Sequence, residues 1–515
     1  MCGFMVAKRR KKMFEKVLIA NRGEIAVRII RTCREMGIDT VAVYSERDAA
    51  ASHVLEADEA VFLGEAEPSK SYLNIERIIA SARQTGAEAI HPGYGFLAEN
   101  ARFAEQCEAS GITFIGPSAQ VLQDLGNKTL ARRIMERAGV PVIPGMMEGV
   151  RDPVHLHQEA ERIGYPLMVK AVAGGGGKGM RIVEKGDAFD EACLSAMSEA
   201  QKAFGDGSVY LEKYLKAPRH VEFQILADHN GNAVHLFERE CSIQRRHQKI
   251  IEETPSPAMT PSLRSAMGEA ALSAVRASGY VNAGTVEFML DRSGAFYFLE
   301  VNTRLQVEHP VTEMTTGIDL VRQQLEIAGG NPLSFKQEDI TQRGHAIECR
   351  IYAEDPEANF FPSPGTVVLY REPAGPGIRV DSGIYEGFEV PVDYDPILSK
   401  VIATAGTREA ARTRMIRALE NYVILGIRTT IPFLTEILRS PGFAKGDTRT
   451  DFLDEYFEGR TRSREDEDLA RIAYVVEEMA SSGLPGITGA RRMQAGKGRY
   501  WPSPWETLGD WKMGQ

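Results

Sequence analysis

The chain of 515 residues is 43% hydrophobic and 26% charged, ordinary globular proportions with length for roughly three domains. Its net charge of −10 argues against nucleic acid as the main partner, and no apolar run reaches the roughly 18 residues of a membrane span. Six cysteines (Cys2, Cys33, Cys107, Cys193, Cys241, Cys349) stand without C-x-x-C spacing, which excludes a disulfide framework or zinc site and reads as reduced thiols in a cytoplasmic protein.

The opening, MCGFMVAKRRKKM, places a cysteine after the initiator, but a basic run follows at once. No apolar stretch comes after the charges, so no secretory signal is read. Residues 1–13 are expected to be an extended start. From Lys16, KVLIA predicts a strand, and NRGEIAVRIIRTCREMG a helix with Ile25, Ile29, Ile30, Cys33 and Met36 at helical spacing. TVAVYS is the next strand, EAIHPGYGF runs from strand into a glycine-rich turn, and TFIGP is another strand after a helix. This alternation predicts a Rossmann-like parallel sheet over residues 14–127. Ligands of such sheets bind beyond the carboxyl ends of the strands, where HPGYGF (91–96) lies.

The helix NKTLARRIMERAGV follows, then a compact unit over about 143–214: the strand PLMVKAV, the run AVAGGGGKGM (171–180), a long helix and the strand VYLEKYL. The glycines allow close backbone approach to a ligand, and free N–H groups there can cradle phosphate, although a plain flexible loop has the same composition. No G-x-x-x-x-G-K-[ST] occurs. Beyond 214 the chain turns strand-rich: HVEFQILADHNGNAVHLFERE carries the turn DHNG at its centre, and another α+β stretch runs to about 457.

The chemistry concentrates in TVEFMLDRSGAFYFLEVN, residues 285–302. If Leu290 pairs with Ala295 across the turn, Glu287 faces Phe298 and lies diagonal to Glu300, so both carboxylates share one face within reach of a common cation. Such oxygen ligands suit Mg2+ (or Mn2+) shared with substrate phosphates; a solvent-facing acid pair is the plainer alternative. Glu300, Asn302, Arg304, Gln306 and Glu308 recur at period two, and an extended chain would set all of them on one face. Upstream, SIQRRHQK (242–249) is either a solvated basic surface or the cationic side of an anion pocket. With strand lysines read at Lys128 and Lys170, the whole describes an ATP-dependent enzyme that activates an acid by phosphorylation.

Together IANRGEIAVRI, SYLNIERII, HPGYGFLAEN, FIGPS, AGGGGKGM, EKYL, RHVEFQ, ECSIQRRHQK, FLEVNTRLQVEHPVTE and IECRIYAED resemble a biotin carboxylase, the ATP-grasp enzyme of biotin-dependent carboxylases, over about residues 14–457. The resemblance implies a mixed α/β and α+β fold: a pre-ATP-grasp domain (14–127), an ATP-grasp domain (128–345) with a mobile glycine-rich lid at about 143–214, and a C-terminal biotin carboxylase domain (346–457). It implies that ATP phosphorylates bicarbonate to carboxyphosphate, whose CO2 is captured by N1′ of biotin on a carrier protein. Lys128, Lys170, Gly176 and Gly177 would meet the phosphates. Glu212, Lys213, Tyr214 and Leu215 would form the adenine hinge, with His220, Gln244 and His247 around the nucleoside. Glu287, Glu300 and Asn302 would hold the divalent ions. Lys249, Arg304, Gln306 and the Val307 backbone would line the bicarbonate pocket. Glu308 would be the base, and Arg350 would steady the biotin anion. Charge supports these roles, since Glu308 beside Arg304 and Lys249 should stay ionised, and arginine can stabilise the ureido anion without losing a proton. Two departures, Ala173 where the family loop often has a further glycine and Ile243 where methionine is common, touch no polar role.

No biotinylation hairpin occurs. Trp511-Lys512-Met513 lies too close to the end, so the carrier and the carboxyltransferase are expected on other chains. The family usually forms homodimers. Residues 458–515 begin with the amphipathic pattern EDEDLARIAYVVEEMASSG and hold Trp501, Trp505 and Trp511, a composition suited to partner docking or to folding back on the core. The acceptor reads as an acyl-CoA such as acetyl- or propionyl-CoA, with a two-chain pyruvate carboxylase as the alternative and a non-catalytic scaffold more remote.

Overall fold

The computed structural model describes residues 13–172, 179–246 and 248–457. Gly176 and Gly177, His247, the expected extended start through residue 12 and the segment 458–515 lie outside the described residues.

The first sheet is parallel, built from β1 (Lys16–Ile19), β2 (Asp39–Ser45), β3 (Glu59–Gly64), β4 (Ala89–His91) and β5 (Thr113–Phe114) in the order β3-β2-β1-β4-β5. Val17, Leu18 and Ile19 are buried on both faces, as a central parallel strand requires. The helix Gly23–Glu35 buries Ile25, Ile29, Ile30 and Cys33 against it. The helices Ile75–Thr85 and Ala101–Ala109 start where the side chains of Asn74 and Asn100 accept from the Arg77 and Phe103 amides, caps that each contribute about 1 kcal/mol. The edge strand β3 was not among the predicted elements.

A three-stranded antiparallel sheet follows, β7-β6-β8, from β6 (Leu167–Ala171), β7 (Met180–Val183) and β8 (Val209–Lys213). The helices Pro153–Ile163 and Phe189–Phe204 pack on it through Leu156, Ala160, Phe189, Cys193 and Ala196. Lys170 pairs with Met180 across β6 and β7.

The largest sheet contains β9 (Arg219–Ala227), β10 (Ala233–Arg245), β11 (Gln248–Thr254), β12 (Asn282–Leu290), β13 (Phe296–Asn302) and β14 (His345–Tyr352), followed by the strands Ile397–Ala405 and Ile378–Ser382, in the order β13-β12-β9-β10-β11-β14 and then those two. One face of β9 and β12 closes over Phe223 and Phe288, whose rings meet edge-on at 6.3 Å. Because β14 pairs with β11, this sheet runs without a break past residue 345. It thereby carries side chains of the C-terminal stretch directly to the polar cluster on β9–β13. Among the described residues no helix is long and apolar enough to cross a membrane.

Candidate functional site

The β12–β13 register differs from the expected one. Leu290 pairs with Phe296, and an irregularity beside Glu287 sets Glu287 directly opposite Glu300 instead of diagonal to it. The turn explains the shift. Asp291 N–H donates to the Ala295 carbonyl and the Asp291 carboxylate accepts from the Ser293 and Ala295 amides, so Ala295 belongs to the loop. The extra residue is then absorbed as a bulge at Leu299.

The run 300–308 does not stay extended. β13 ends at Asn302, and Glu308 precedes the helix His309–Thr316, whose Pro310 suits its first turn. Leu305 is fully buried in the core beneath the first sheet and pins the intervening turn. The polar residues converge nonetheless. Arg304 donates to Gln306 Oε1 and Asn302 Oδ1, both at 3.1 Å, while Gln306 Nε2 and Asn302 Nδ2 donate to Glu287 Oε1 at 3.0 and 2.8 Å.

Lys249 sits at the centre. Its ammonium donates to Glu222 at 2.5 Å, Glu287 at 2.7 Å and Glu308 at 2.8 Å. Arg350 donates from Nη2 to the other oxygen of Glu308 at 2.9 Å. Burial alone would push the Glu308 carboxyl up, but Lys249, Arg350 and Arg239 outweigh it and hold it well below the usual carboxylate range. Burial likewise opposes ionisation of Glu287, and Lys249 with His220 overcomes it. At Glu300 the balance is reversed: burial and the facing Glu287 raise its carboxyl and outweigh the pull of Lys128. Arg304, expected beside Glu308, forms its ion pair with Glu99 at 3.3 Å and is further stabilised as a cation by the Glu308 charge.

The residues expected around a nucleotide form a connected set. Gln244 Nε2 lies 2.7 Å from His220 Nδ1, and His220 Nε2 lies 2.9 Å from Glu287 Oε2, which wires the expected nucleoside residues to an expected metal ligand. Glu212 is buried in ion pairs with Lys170 and Arg132, and Lys213 Nζ donates to the Gly164 and Tyr165 carbonyls. Those two side chains hold the β8 end in place, leaving the backbone and the half-buried Tyr214 and Leu215 for the expected hinge. Lys128 is the first residue of the helix Lys128–Arg137, capped by Asn127, and not on a strand; it is half-buried.

Sequence reasoning missed Glu222, Arg239, Glu252 and Lys400. Glu222 shares the β9 face of His220 two residues away, a period-two signal that was readable. Arg239 is fully buried and donates from Nε to Glu222 at 2.6 Å. Lys400, also fully buried, donates to the Val307 carbonyl at 2.8 Å. HPGYGF serves as a clamp: Asn21 Nδ2 donates to the Pro92 and Tyr94 carbonyls at 2.7 Å, and the Tyr94 hydroxyl donates to Glu24. Gly93 has φ +63, and a Cβ there would meet Asn21 Nδ2 at 2.8 Å, so only glycine fits.

A divalent ion fits this donor set on chemical grounds. Glu287 and Glu300 face each other with Asn302 adjacent, and the Glu300 carboxylate takes no hydrogen bond from a described residue. His220, Glu222 and Glu287 also bring ligand atoms within 4.8 Å of one another, as do Glu222, Cys241 and Glu308; the ammonium of Lys249 touches both groups.

The chain is similar to known proteins over most of its length. The family described as biotin carboxylase, N-terminal domain, matches residues 13–122; carbamoyl-phosphate synthase L chain, ATP binding domain, matches 127–336; biotin carboxylase C-terminal domain matches 348–455. A pyruvate carboxylase subunit of Methanothermobacter thermautotrophicus is 54% identical over 478 residues, 92% of this chain and 96% of its own. Biotin carboxylase 1 of Bacillus subtilis is 53% identical over 448 residues, 86% of this chain and 99% of its own. The biotin carboxylase domain dimer of Hydrogenobacter thermophilus 2-oxoglutarate carboxylase, solved with MgADP, ADP and bicarbonate, is 50% identical and superposes with a TM-score of 0.84, covering 86% of this chain and 98% of that one.

Proposed function

We propose that this chain, which belongs to the biotin carboxylase family of ATP-dependent ligases, carboxylates N1′ of biotin on a separate carrier protein, using ATP and bicarbonate. The observation that supports this most is Glu308, held ionised between Lys249 at 2.8 Å and Arg350 at 2.9 Å beside the facing acids Glu287 and Glu300.

Bicarbonate is a small anion that must lose a proton to attack phosphorus. Lys249, Arg304, Gln306 and the Val307 backbone supply the cationic and N–H contacts that bind it, and Glu308 takes its proton. Once Lys249 turns to the new anion, Glu308 loses one of its two ion pairs and becomes a stronger base. Lys128 and Lys170, with Gly176 and Gly177 of the glycine run, offset charge on the triphosphate; His220, Gln244, His247 and the stretch Glu212–Leu215 seat the nucleoside. Glu287, Glu300 and Asn302 hold the divalent ions, Mg2+ or Mn2+, whose chemistry is to neutralise charge on the phosphates. The lid about residues 143–214 closes over the site and keeps water from carboxyphosphate. Carboxyphosphate splits to CO2 and phosphate, the released phosphate can take the N1′ proton, and Arg350 stabilises the resulting ureido anion that attacks CO2, because its guanidinium stays charged while donating hydrogen bonds. The domain boundaries at 127, 345 and 457 follow the same reading.

The partners in this proposal are a biotin carrier, a carboxyltransferase and a second copy of this chain, in the cytoplasm. For the acceptor, an acyl-CoA was the reading suggested by the sequence. A pyruvate carboxylase subunit and a 2-oxoglutarate carboxylase domain among the similar proteins keep a 2-oxo acid such as pyruvate as the alternative. In either case the segment 458–515 is a candidate docking element, and removing 461–515 should weaken assembly while sparing carboxylation of free biotin.

The test is bicarbonate-dependent ATP hydrolysis by the purified chain, with and without free biotin. Stimulation by biotin is expected. Hydrolysis that ignores both bicarbonate and biotin would overturn the assignment.

A further inference from the structure

Behind Arg350 lies a pair of acids to which no role has been given. Glu252 on β11 and Glu348 on β14 are directly opposite each other, and both are fully buried. No described residue hydrogen-bonds to any of their carboxylate oxygens. Side chains opposed in this way share one face and approach closely, and two dry carboxylates at such range cannot both be ionised without a cation between them.

The nearby cations are unevenly shared. Arg350 Nε lies 2.6 Å from Glu252 Oε1, but its N–H is not aligned along that line, so the contact is an ion pair and not a hydrogen bond. Lys400 pairs across the strands with Arg350, yet its ammonium is directed to the Val307 carbonyl at 2.8 Å and to Glu24 at 3.3 Å. Glu348 is therefore left without an ion-pair partner among the described residues.

Resting on the biotin carboxylase reading, we propose that Glu252 and Glu348 hold one proton between them, resident on Glu348, and that the ionised Glu252 is thereby the positioning residue for Arg350. The neutral acid can donate its proton to Glu252, as in other carboxyl pairs that share a site. Arg350 then sits between two carboxylates, Glu252 at its Nε end and Glu308 at Nη2. That arrangement fixes the guanidinium plane before biotin arrives. Electrostatics points the same way: burial pushes Glu252 up to about 7 against the pull of Arg350, and burial raises Glu348 well above the usual carboxylate range despite Lys400.

The experiment reads the proton directly and needs no turnover. The infrared spectrum of the full chain at neutral pH should contain a protonated-carboxyl C=O band that vanishes in Glu348→Gln and persists in Arg304→Gln. In parallel, Glu252→Gln should raise KM for free biotin about tenfold or more, the loss expected for a charged contact, and by several-fold more than Glu348→Gln does. Lack of a band assignable to Glu348 would overturn the proposal, including the case in which a bound water satisfies two ionised acids. Equal effects of the two substitutions on KM for biotin would overturn it too. If the chain proves not to carboxylate biotin, the infrared result still decides where the proton resides, so the two failures are distinguishable.

Discussion

Replacing Glu308 by glutamine keeps the shape of the side chain and removes both its charge and its basicity. Loss of a positioned general base costs about 10²- to 10⁴-fold in rate, equivalent to about 3–5 kcal/mol in the barrier. Stability should respond far less. Breaking a buried ion pair by removing one partner typically costs about 3–5 kcal/mol because a charge is left alone. Here neither cation is left alone: Lys249 keeps Glu222 at 2.5 Å and Glu287 at 2.7 Å, and Arg350 keeps Glu252 at 2.6 Å. Removal of one carboxylate also relieves Glu222, whose carboxyl is raised by burial and by its neighbours Glu308 and Glu287. We therefore expect bicarbonate-dependent ATP hydrolysis to fall at least ~100-fold while unfolding free energy falls by less than ~3 kcal/mol. Steady-state hydrolysis and urea titration of both proteins measure the two quantities. A Glu308→Gln enzyme within a few-fold of wild type would refute the base assignment, and an unfolded variant would refute the redundancy of the ion pairs.

Lys400→Met removes the donor to the Val307 carbonyl, a charged hydrogen bond worth about 1.5–3 kcal/mol, so KM for bicarbonate should rise about 10- to 100-fold with KM for ATP little changed; equal rises in both would contradict a local role. Gly93→Ala forces a Cβ to within 2.8 Å of Asn21 Nδ2 at φ +63 and should destabilise the chain by about 1–3 kcal/mol in urea unfolding, with no loss in Gly126→Ala, where open space surrounds the site. Asp381 is buried, and although burial opposes its ionisation, Arg379 lowers its pKa to about 2 from the ordinary 3.8. A depressed folded-state pKa means that this stabilisation is complete above about pH 4 and fades as pH falls toward 2, an effect of about 2 kcal/mol. The stability gap between wild type and Asp381→Asn should narrow over that window, and a constant gap would contradict the pairing.

The parallel sheet was legible because β1 and β2 are short apolar runs and the first helix places Ile25, Ile29 and Ile30 at helical spacing. β3 was overlooked although Ala60, Val61, Phe62 and Leu63 form a short apolar run; its place at the sheet edge, with Glu59, Ala60 and Phe62 exposed, follows only from the topology. In the site, the hairpin pattern put Glu287 and Glu300 on one face, and the family resemblance put Lys249 beside Glu308; Glu287 faces Glu300, and Lys249 donates to both Glu287 and Glu308. Local periodicity misjudged the conformation: the bulge beside Glu287 depends on an Asp291 side chain closing the loop, and the turn after Asn302 depends on Leu305 entering a core formed by distant segments. Lys400 and Glu252 were invisible for a related reason. Each lies on a strand whose neighbour in the sheet comes from far along the chain, so only the pairing of β14 with β11 and Ile397–Ala405 brings their charges to Arg350.

Transfer of the carboxyl group to biotin is the step that defines the proposed activity. Incubating the purified chain with radiolabelled bicarbonate, ATP, Mg2+ and free biotin, then trapping the product under alkaline conditions, measures it directly. ATP-dependent label in biotin is expected, lost in Glu308→Gln and in Arg350→Ala. ATP hydrolysis with no label transferred to biotin, under conditions where carboxybiotin survives, would contradict it.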